Sequence, residues 1–241
     1  MSKDNIYQHA HTQVADFTFD KKVANVFPDM IQRSVPGYSH VIAMIGLLAG
    51  KYAQPNSNLY DLGCSLGAVT ASMRHNVKQT GCNIIAVDNS QAMLDKCEVN
   101  INSEESMLPV QFKLADISEI EIINASVVVL NFTLQFIKLE KRQALLEKIY
   151  HAMPKGGVLI ISEKLDFADS SLNELMIENH HQFKRANGYS DLEIAQKRSA
   201  IENVLIAETW QTHESRLQTI GFAHPHIWFQ SLNFCSIMAI K

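Results

Sequence analysis

Short apolar runs alternate with amphipathic stretches through the middle of the chain. We predict strands at 59–62, 84–88, 110–114, 126–130 and 158–162, the first two of them buried and the fourth an unbroken apolar run. Between them, apolar residues at helical spacing predict helices, among them 90–102, with Asn89 or Ser90 as its cap, and 141–153. Strands that alternate with helices in this rhythm favour a parallel sheet with right-handed crossovers.

The flanks of this region depart from its rhythm. Residues 1–56 have helical spacing: Pro28 is expected at a helix start, Pro36-Gly37 at a break, and 40–52 in an apolar helix. Residues 163–208 are helical and charge-rich, and a helix at 212–219 and strands at 224–229 and 234–240 follow. We expect one domain with four parts: an N-terminal helical lid (1–56), a nucleotide-binding core (57–162), a helical insertion (163–208), and a closing helix and hairpin (209–241).

The stretch 58–67, NLYDLGCSLG, joins the first strand to a helix through a tight turn. Glycine at both ends of the turn permits positive φ and leaves no Cβ where a ligand lies against backbone. The following helix presents N–H groups without intrahelical partners. The turn is therefore typical of a nucleotide site, although its G-x-S-x-G spacing differs from the G-x-G-x-x-G of dinucleotide sites.

Acidic residues accompany three of the predicted strands. Asp61, two residues before Gly63, would repel a pyrophosphate and could attract an ammonium group. Asp88 ends the second strand, where a carboxylate can accept hydrogen bonds from both ribose hydroxyls. Asp116 follows the third strand and can accept from an adenine amino group, with Ile117 packing on the ring. Together these features resemble the S-adenosyl-L-methionine (SAM) site of class I methyltransferases.

That resemblance implies an α/β, Rossmann-like fold: a mostly parallel seven-stranded sheet with helices on both faces, an N-terminal helical segment and a helical insertion after strand five. In the class I pattern the turn ends in G-x-G, so Ser65 is a departure that could add a hydroxyl contact to the amino acid end of the ligand. Tyr38 precedes the first strand and either closes the pocket or packs in the core.

Composition narrows the classes of function. The 241 residues are 46% hydrophobic and carry a net charge of −4, and no run of Lys or Arg exceeds two residues, which argues against direct nucleic-acid binding. Four cysteines form no C-x-x-C pair, so neither a zinc site nor a disulfide scaffold is expected, and we expect no metal. Because no apolar stretch reaches 18 residues, we expect no membrane span and a cytoplasmic protein.

Six stretches carry a closer resemblance. They are VFPDMIQRSVPGY at 26–38, DLGCSLG at 61–67, NFTLQF at 131–136, HHQFKRANGYS at 180–190, QKRSAIENV at 196–204, and the WFQSLNF end. With these motifs, which span nearly the whole chain, the sequence resembles the carboxy-S-adenosyl-L-methionine (carboxy-SAM) synthase family.

The resemblance implies a methyltransferase-like fold that does not methylate. SAM and prephenate would give carboxy-SAM and phenylpyruvate, through a sulfonium ylide that captures the CO2 released from prephenate. The product would pass to a tRNA carboxymethyltransferase acting on wobble hydroxyuridine, and a homodimer is implied. The ligand contacts carried over by matching motif are Tyr38, Gly63, Cys64, Ser65, Asp88, Asn89, Asp116, Ile117, Asn131 and Arg198.

Arg198, with Tyr38, is expected to take part in the reaction. A guanidinium offers bidentate, charge-assisted bonds to a carboxylate held beside the sulfonium. Composition alone favours another role, an ion pair with Glu193 or Glu202 on the same helix.

His180 and His181 are adjacent on a predicted helix, so at most one can face the pocket. We expect surface or interface positions for them.

Two rival functions stay open from the sequence. One is an ordinary SAM-dependent small-molecule methyltransferase, which the fold signal alone favours. The other is a noncatalytic SAM-binding subunit. Asn131 is followed by Phe-Thr-Leu, so the N-P-P-Y type of motif expected for methylation of base amines is missing.

Overall fold

The computed structural model describes residues 2–10, 14–103, 106 and 108–241. A seven-stranded sheet runs through this part of the chain in the order β3-β2-β1-β4-β5-β7-β6. Its strands are β1 (Asn58–Leu62), β2 (Asn83–Asp88), β3 (Val110–Leu114), β4 (Ala125–Asn131), β5 (Val158–Lys164), β6 (Ala223–Ser231) and β7 (Phe234–Ile240). The first five strands pair with one another in parallel, whereas β7 is antiparallel to both β5 and β6. The predicted mostly parallel sheet is confirmed.

The helices lie on both faces of this sheet. They are α1 (Lys21–Ser34), α2 (Tyr38–Tyr52), α3 (Ala68–Asn76), α4 (Gln91–Asn102), α5 (Leu139–Ala152), α6 (Ser170–Ala186), α7 (Asp191–Ile201) and α8 (Trp210–Ile220), with a short 3-10 turn at Leu134–Phe136. Of the two caps predicted for α4, Ser90 is the cap, and its side chain accepts the Met93 N–H. Among the helices described, none is long and apolar enough to span a membrane.

Alternation along the strands gives each face of the sheet its own core. On the α2 face, which α2 and α3 cover, Leu59, Val129 and Ile160 pack among apolar residues of these helices. On the α5 face, which α5 and α8 cover, Leu62 and Leu130 pack instead. Because side chains alternate between faces, Asp61, Asn131 and Lys164 share the α2 face at the carboxyl ends of their strands.

The prediction that Pro28 starts a helix is wrong. α1 is capped well before it by Asp20, and Pro28 lies inside the helix. A proline has no N–H for the carbonyl four residues earlier, which here belongs to Ala24. The Lys96 ammonium donates to that carbonyl at 3.1 Å. This replacement donor lets α1 continue through the proline and joins it to α4.

The insertion predicted from residue 163 begins after β5, which ends at Lys164, and it consists mainly of α6 and α7. These helices pack against the N-terminal part of the chain. Gln196 on α7 donates to the backbone carbonyls of Tyr7 and His9, both at 2.9 Å, and α6 contacts α1.

The N-terminal segment also reaches loops at the carboxyl ends of the strands. The Phe19 carbonyl accepts a hydrogen bond of 2.5 Å from the Ser90 hydroxyl, which follows β2. The Phe19 ring lies 5.2 Å from the ring of Phe136, which follows β4. The segment therefore crosses the edge of the sheet where doubly wound folds bind ligands.

Candidate functional site

The turn after β1 has the backbone that its glycines predict. Gly63 and Gly67 have φ values of 85° and 86°, and Ser65 between them also has a positive φ of 51°. A Cβ on Gly63 would lie 2.4 Å from Thr133 Oγ1, and one on Gly67 would lie 2.7 Å from Cys97 Sγ. Both positions therefore exclude any larger residue, by conformation and by space.

Hydrogen bonds hold this turn against the end of β2. The N–H groups of Gly63 and Cys64 donate to the Val87 carbonyl at 2.8 and 2.9 Å. The Ser65 N–H donates to Asp88 Oδ2 at 2.8 Å. The Cys64 side chain is buried away from the turn, in a cluster between the sheet and α4, so only its backbone is available to a ligand. The Ser65 hydroxyl points to Met93 Sδ at 3.7 Å.

Asp88 is buried and already serves the backbone. Its Oδ1 accepts the Ser90 N–H at 2.9 Å. Burial raises the pKa of Asp88, while the N–H groups of Ser90, Ser65 and Asn89 act in the opposite direction. Each carboxylate oxygen keeps a second lone pair, so the ribose role predicted for Asp88 is compatible with these bonds. Asn89 is exposed beside it.

Two buried oxygens on the α2 face have no hydrogen-bond partner in the described structure: Asp61 Oδ1 and Asn131 Oδ1. They belong to neighbouring parallel strands, in which Asp61 pairs with Val129, two residues before Asn131. The other Asp61 oxygen accepts a 2.6 Å bond from Thr70 Oγ1. Burial raises the pKa of Asp61 to about 7. Orphaned acceptors of this kind are costly, and the ammonium group of an amino acid would satisfy both.

Tyr38 is the first residue of α2 and is partly buried. Burial, and then the nearby Asp61, raise the pKa of its hydroxyl. Its ring lies 6.3 Å from that of Phe132, whose N–H is bonded to Ser162 O at 2.8 Å. Tyr38, at the start of α2, therefore lies beside the loop that follows β4 and near the orphaned oxygen of Asp61.

Asp116 and Ile117 follow β3 at the other end of the site. Asp116 Oδ1 accepts bonds from Ser118 N and Ser118 Oγ, both at 2.8 Å, and these bonds lower the pKa of Asp116. Ile117 is buried in the core on the α5 face. Hydrogen bonds thus hold Asp116, and core packing holds Ile117, after the strand where the sequence predicts a nucleobase.

Arg198 lies on α7 and is exposed. Within the described chain it forms no ion pair with Glu193 or Glu202, and the Glu193 carboxylate instead caps α7 through Ser190. Arg198 is close enough to Lys164 to lower the pKa of that lysine, after the larger effect of burial. The guanidinium is thus within electrostatic range of Lys164, at the carboxyl end of β5.

The surface or interface position expected for His180 is wrong. His180 is 8% exposed, its Nε2 lies 2.8 Å from the Ser34 carbonyl oxygen, and its ring lies 4.8 Å from that of Phe234. Burial lowers its pKa to about 3, so the imidazole is neutral at pH 7. His181 beside it is only partly buried, near Glu178.

Sequence reasoning missed a group of buried lysines beside His180. Burial lowers the pKa of Lys184 to about 8 and that of Lys197 to about 7. Lys197 Nζ donates to Ser34 Oγ at 3.0 Å. Lys184 follows His180 by four residues, so both share a face of α6, and that spacing was the one signal that could have revealed the group.

Comparisons with known proteins agree with this architecture. The family described as "Methyltransferase domain" matches residues 59–157. Among solved structures, human N-acetylserotonin methyltransferase in complex with SAM superposes with a TM-score of 0.62 at 19% identity, over 92% of this chain and 55% of that chain. A SAM-dependent methyltransferase described as putative, from Methanococcus maripaludis, has a TM-score of 0.58 at 20% identity, over 96% and 97%. The fold is therefore that of class I methyltransferases.

Curated relatives match nearly the whole chain and share one name, carboxy-S-adenosyl-L-methionine synthase. The protein of Photobacterium profundum is 59% identical over 99% of this chain and 98% of its own. That of Pseudoalteromonas translucida is 58% identical over 99% of each chain, and that of Vibrio cholerae serotype O1 is 58% identical over 99% of this chain and 97% of its own. The chain belongs to the carboxy-S-adenosyl-L-methionine synthase family.

Proposed function

We propose that the protein forms carboxy-SAM from SAM and prephenate, with phenylpyruvate and water as the other products. Prephenate loses its ring carboxylate as CO2 and its ring hydroxyl as hydroxide, which takes a proton from the SAM methyl group. The carbon left behind adds to CO2, so that atoms and charges balance. The proposal rests on family membership together with the pair of orphaned oxygens, Asp61 Oδ1 and Asn131 Oδ1.

In this proposal, residues at the carboxyl ends of the strands bind SAM. Asp61 and Asn131 accept from the amino group of SAM, which supplies the donors that both oxygens lack in the described chain. Asp88 accepts from the ribose, and Asp116 with Ile117 holds the adenine. The turn at Gly63 lets the ligand approach the backbone, since a Cβ has no space there.

Arg198 provides the difference from methyl transfer. A methyltransferase places a nucleophile beside the sulfonium, whereas this reaction requires a carboxylate there. A guanidinium binds a carboxylate through two parallel, charge-assisted bonds, each contributing about 1.5 to 3 kcal/mol. Arg198 is exposed and not ion-paired to its helical neighbours in the described chain, so no bond of that kind must break before it turns to the ligand.

The mass of the ligand that copurifies with the protein tests the proposal. Carboxy-SAM is expected; SAM or S-adenosylhomocysteine alone would favour an ordinary methyltransferase. Incubation with SAM and prephenate is the second arm, in which phenylpyruvate and carboxy-SAM should appear in equal amounts. Tight SAM binding without turnover would instead favour a noncatalytic SAM-binding subunit.

The same proposal extends to the cellular role. Carboxy-SAM would supply the carboxymethyl group that a tRNA carboxymethyltransferase adds to wobble hydroxyuridine. We infer a cytoplasmic homodimer, in which the exposed position of Arg198 on α7 suits a side chain that serves either its own site or that of the second copy. Sedimentation of the purified protein tests the dimer.

A further inference from the structure

Four rings form a continuous row from the proposed SAM site towards α6, and we name Tyr38, Phe132, Phe234 and His180 the aromatic row. Successive ring centroids are 6.3, 6.1 and 4.8 Å apart. The row begins beside Asp61, through Tyr38, and it ends on the buried face of α6. Of its four members, only Tyr38 is also among the proposed SAM contacts.

Two lysines flank the far end of this row. Lys164 pairs directly with Phe234 across β5 and β7, so their side chains share the α2 face. Lys184 lies one helical turn after His180 on α6. Each lysine lowers the pKa of His180, after the larger effect of burial, and Lys164 lowers that of Lys184. The two ammonium groups therefore approach the same end of the row.

The charges here are not balanced within the described chain. Lys184 is only 7% exposed, yet its ammonium takes part in no hydrogen bond or ion pair with the residues described, and it lies 5.9 Å from the centroid of the Tyr189 ring. Lys164 likewise has no ion pair there. Two carboxylates act on them: Asp166, which is exposed, acts on Lys164, and Asp4, which is buried, acts on Lys184. Asp4 already accepts a hydrogen bond from the Tyr189 hydroxyl.

Lys184 is buried and Lys164 is partly buried, and cations that are shielded from water without an ion pair are costly, since both desolvation and mutual repulsion oppose them. A bound anion would remove that cost. The reaction proposed above needs such a site, because its second substrate carries two carboxylates and Arg198 accounts only for the one that is transferred.

We propose that Lys164 and Lys184 form an anion site that binds the retained carboxylate of a ring-bearing dicarboxylate, with the aromatic row as the wall against which its ring packs. This inference rests on the proposed function and adds the residues that select the second substrate. The site holds the side-chain carboxylate at the α6 end of the row, and the ring carboxylate then faces Arg198 and the sulfonium.

The test uses the full-length protein and prephenate itself. Lys164→Met and Lys184→Met remove each charge while keeping an unbranched chain, and Lys78→Met, at an exposed lysine after α3, is the matched control. Calorimetry measures prephenate binding to protein saturated with S-adenosylhomocysteine, and turnover gives the KM for prephenate. Each site variant should weaken binding and raise this KM by about ten- to one-hundred-fold. The Kd for S-adenosylhomocysteine should not change.

Thermal unfolding separates this role from a structural one. Lys184→Met should raise the Tm of the protein, because it removes a buried cation from a cationic group. A lower Tm with unchanged prephenate Kd and KM would make Lys184 a structural residue and overturn the site.

The two proposals also fail separately. If the wild type forms carboxy-SAM and both variants match it in KM, the anion site is wrong and the proposed function stands. If the wild type binds prephenate through these lysines but forms no carboxy-SAM, the site stands and the proposed function is wrong. If the wild type binds no prephenate at all, both are overturned.

Discussion

The Tyr189 hydroxyl donates a hydrogen bond of 2.5 Å to Asp4 Oδ2, and both residues are buried. The bond joins the loop between α6 and α7 to the N-terminal segment. Lys197 Nζ lies 3.9 Å from the same oxygen, so the Asp4 carboxylate contacts both the loop and α7. The position of α7, and with it that of Arg198, therefore depends on the first residues of the chain.

Removing the Tyr189 hydroxyl should destabilise this connection. Tyr189→Phe leaves the buried Asp4 carboxylate with one partner fewer, at an expected cost of about 1 to 3 kcal/mol in the free energy of unfolding. Urea denaturation measures it. Tyr52→Phe is the matched control, because Tyr52 also packs in the core but its hydroxyl makes no hydrogen bond within the described chain. Equal effects of the two substitutions would contradict the anchoring role.

Replacing Asp61 should change how the free energy of unfolding depends on pH. Its folded pKa of about 7 lies above its ordinary value of 3.8, so the folded protein keeps a proton that the unfolded chain releases. Stability of the wild type therefore falls as pH rises from about 4 to about 7. Asp61→Asn should lack this loss and exceed the wild type at pH 8 by up to about 4 kcal/mol. Urea denaturation at several pH values measures the difference.

The same substitution should weaken SAM binding by about tenfold or more, because an amide oxygen can accept a hydrogen bond from the ligand ammonium but carries no negative charge to attract it. Glu163→Gln is the matched control. Glu163 is fully buried, and burial raises its pKa to about 8, so its removal should also flatten the fall of stability with pH. Glu163 lies on the α5 face near Arg142, however, so the SAM affinity of Glu163→Gln should match that of the wild type. Unchanged SAM affinity in Asp61→Asn would refute the ammonium role.

Because Lys96 replaces the N–H that Pro28 lacks, the effects of substituting these two residues on stability should be coupled. Lys96→Met removes the bond to the Ala24 carbonyl and should cost about 1 kcal/mol of unfolding free energy. In a Pro28→Ala background the new backbone N–H can bond that carbonyl, so Lys96→Met should cost less. A double-mutant cycle by urea denaturation measures the coupling. Lys22→Met, at an exposed position of α1, should show no coupling to Pro28→Ala. Additive effects of the pair would argue against the replacement.

Arg198→Lys tests the carboxylate role of the guanidinium. A point charge cannot reproduce the planar fork, so kcat/KM for carboxy-SAM formation should fall by about ten- to one-hundred-fold. The Tm should not change, because Arg198 is exposed. Arg185→Lys, whose ion pairs with Glu178 and Asp191 are exposed, should keep full turnover. Carboxy-SAM formation at the wild-type rate by Arg198→Lys would remove this residue from the mechanism.

Local features of the chain were predictable in detail. The bounds of β3 and β7 agree residue for residue with the strands predicted at 110–114 and 234–240. The turn between Gly63 and Gly67 has the positive φ values that its glycines suggest, and Ser90 caps α4. Each of these depends on a few consecutive residues, through periodicity, backbone freedom or a side chain that bonds its own backbone.

Features that depend on distant segments were not predictable. Pro28 stands inside α1 because Lys96, on another helix, supplies the missing donor. His180 is buried because the end of α1 and the start of β7 cover it.

The order of apolar, polar and glycine residues along the chain is therefore enough to predict the strands, the turn and the acidic residues that follow them. Only the packed chain places Lys164 and Lys184 at one end of a row of rings and leaves them without an ion pair in the described structure. The reason is physical: the energy of a buried charge depends on everything within several ångströms, and most of those neighbours come from remote parts of the chain.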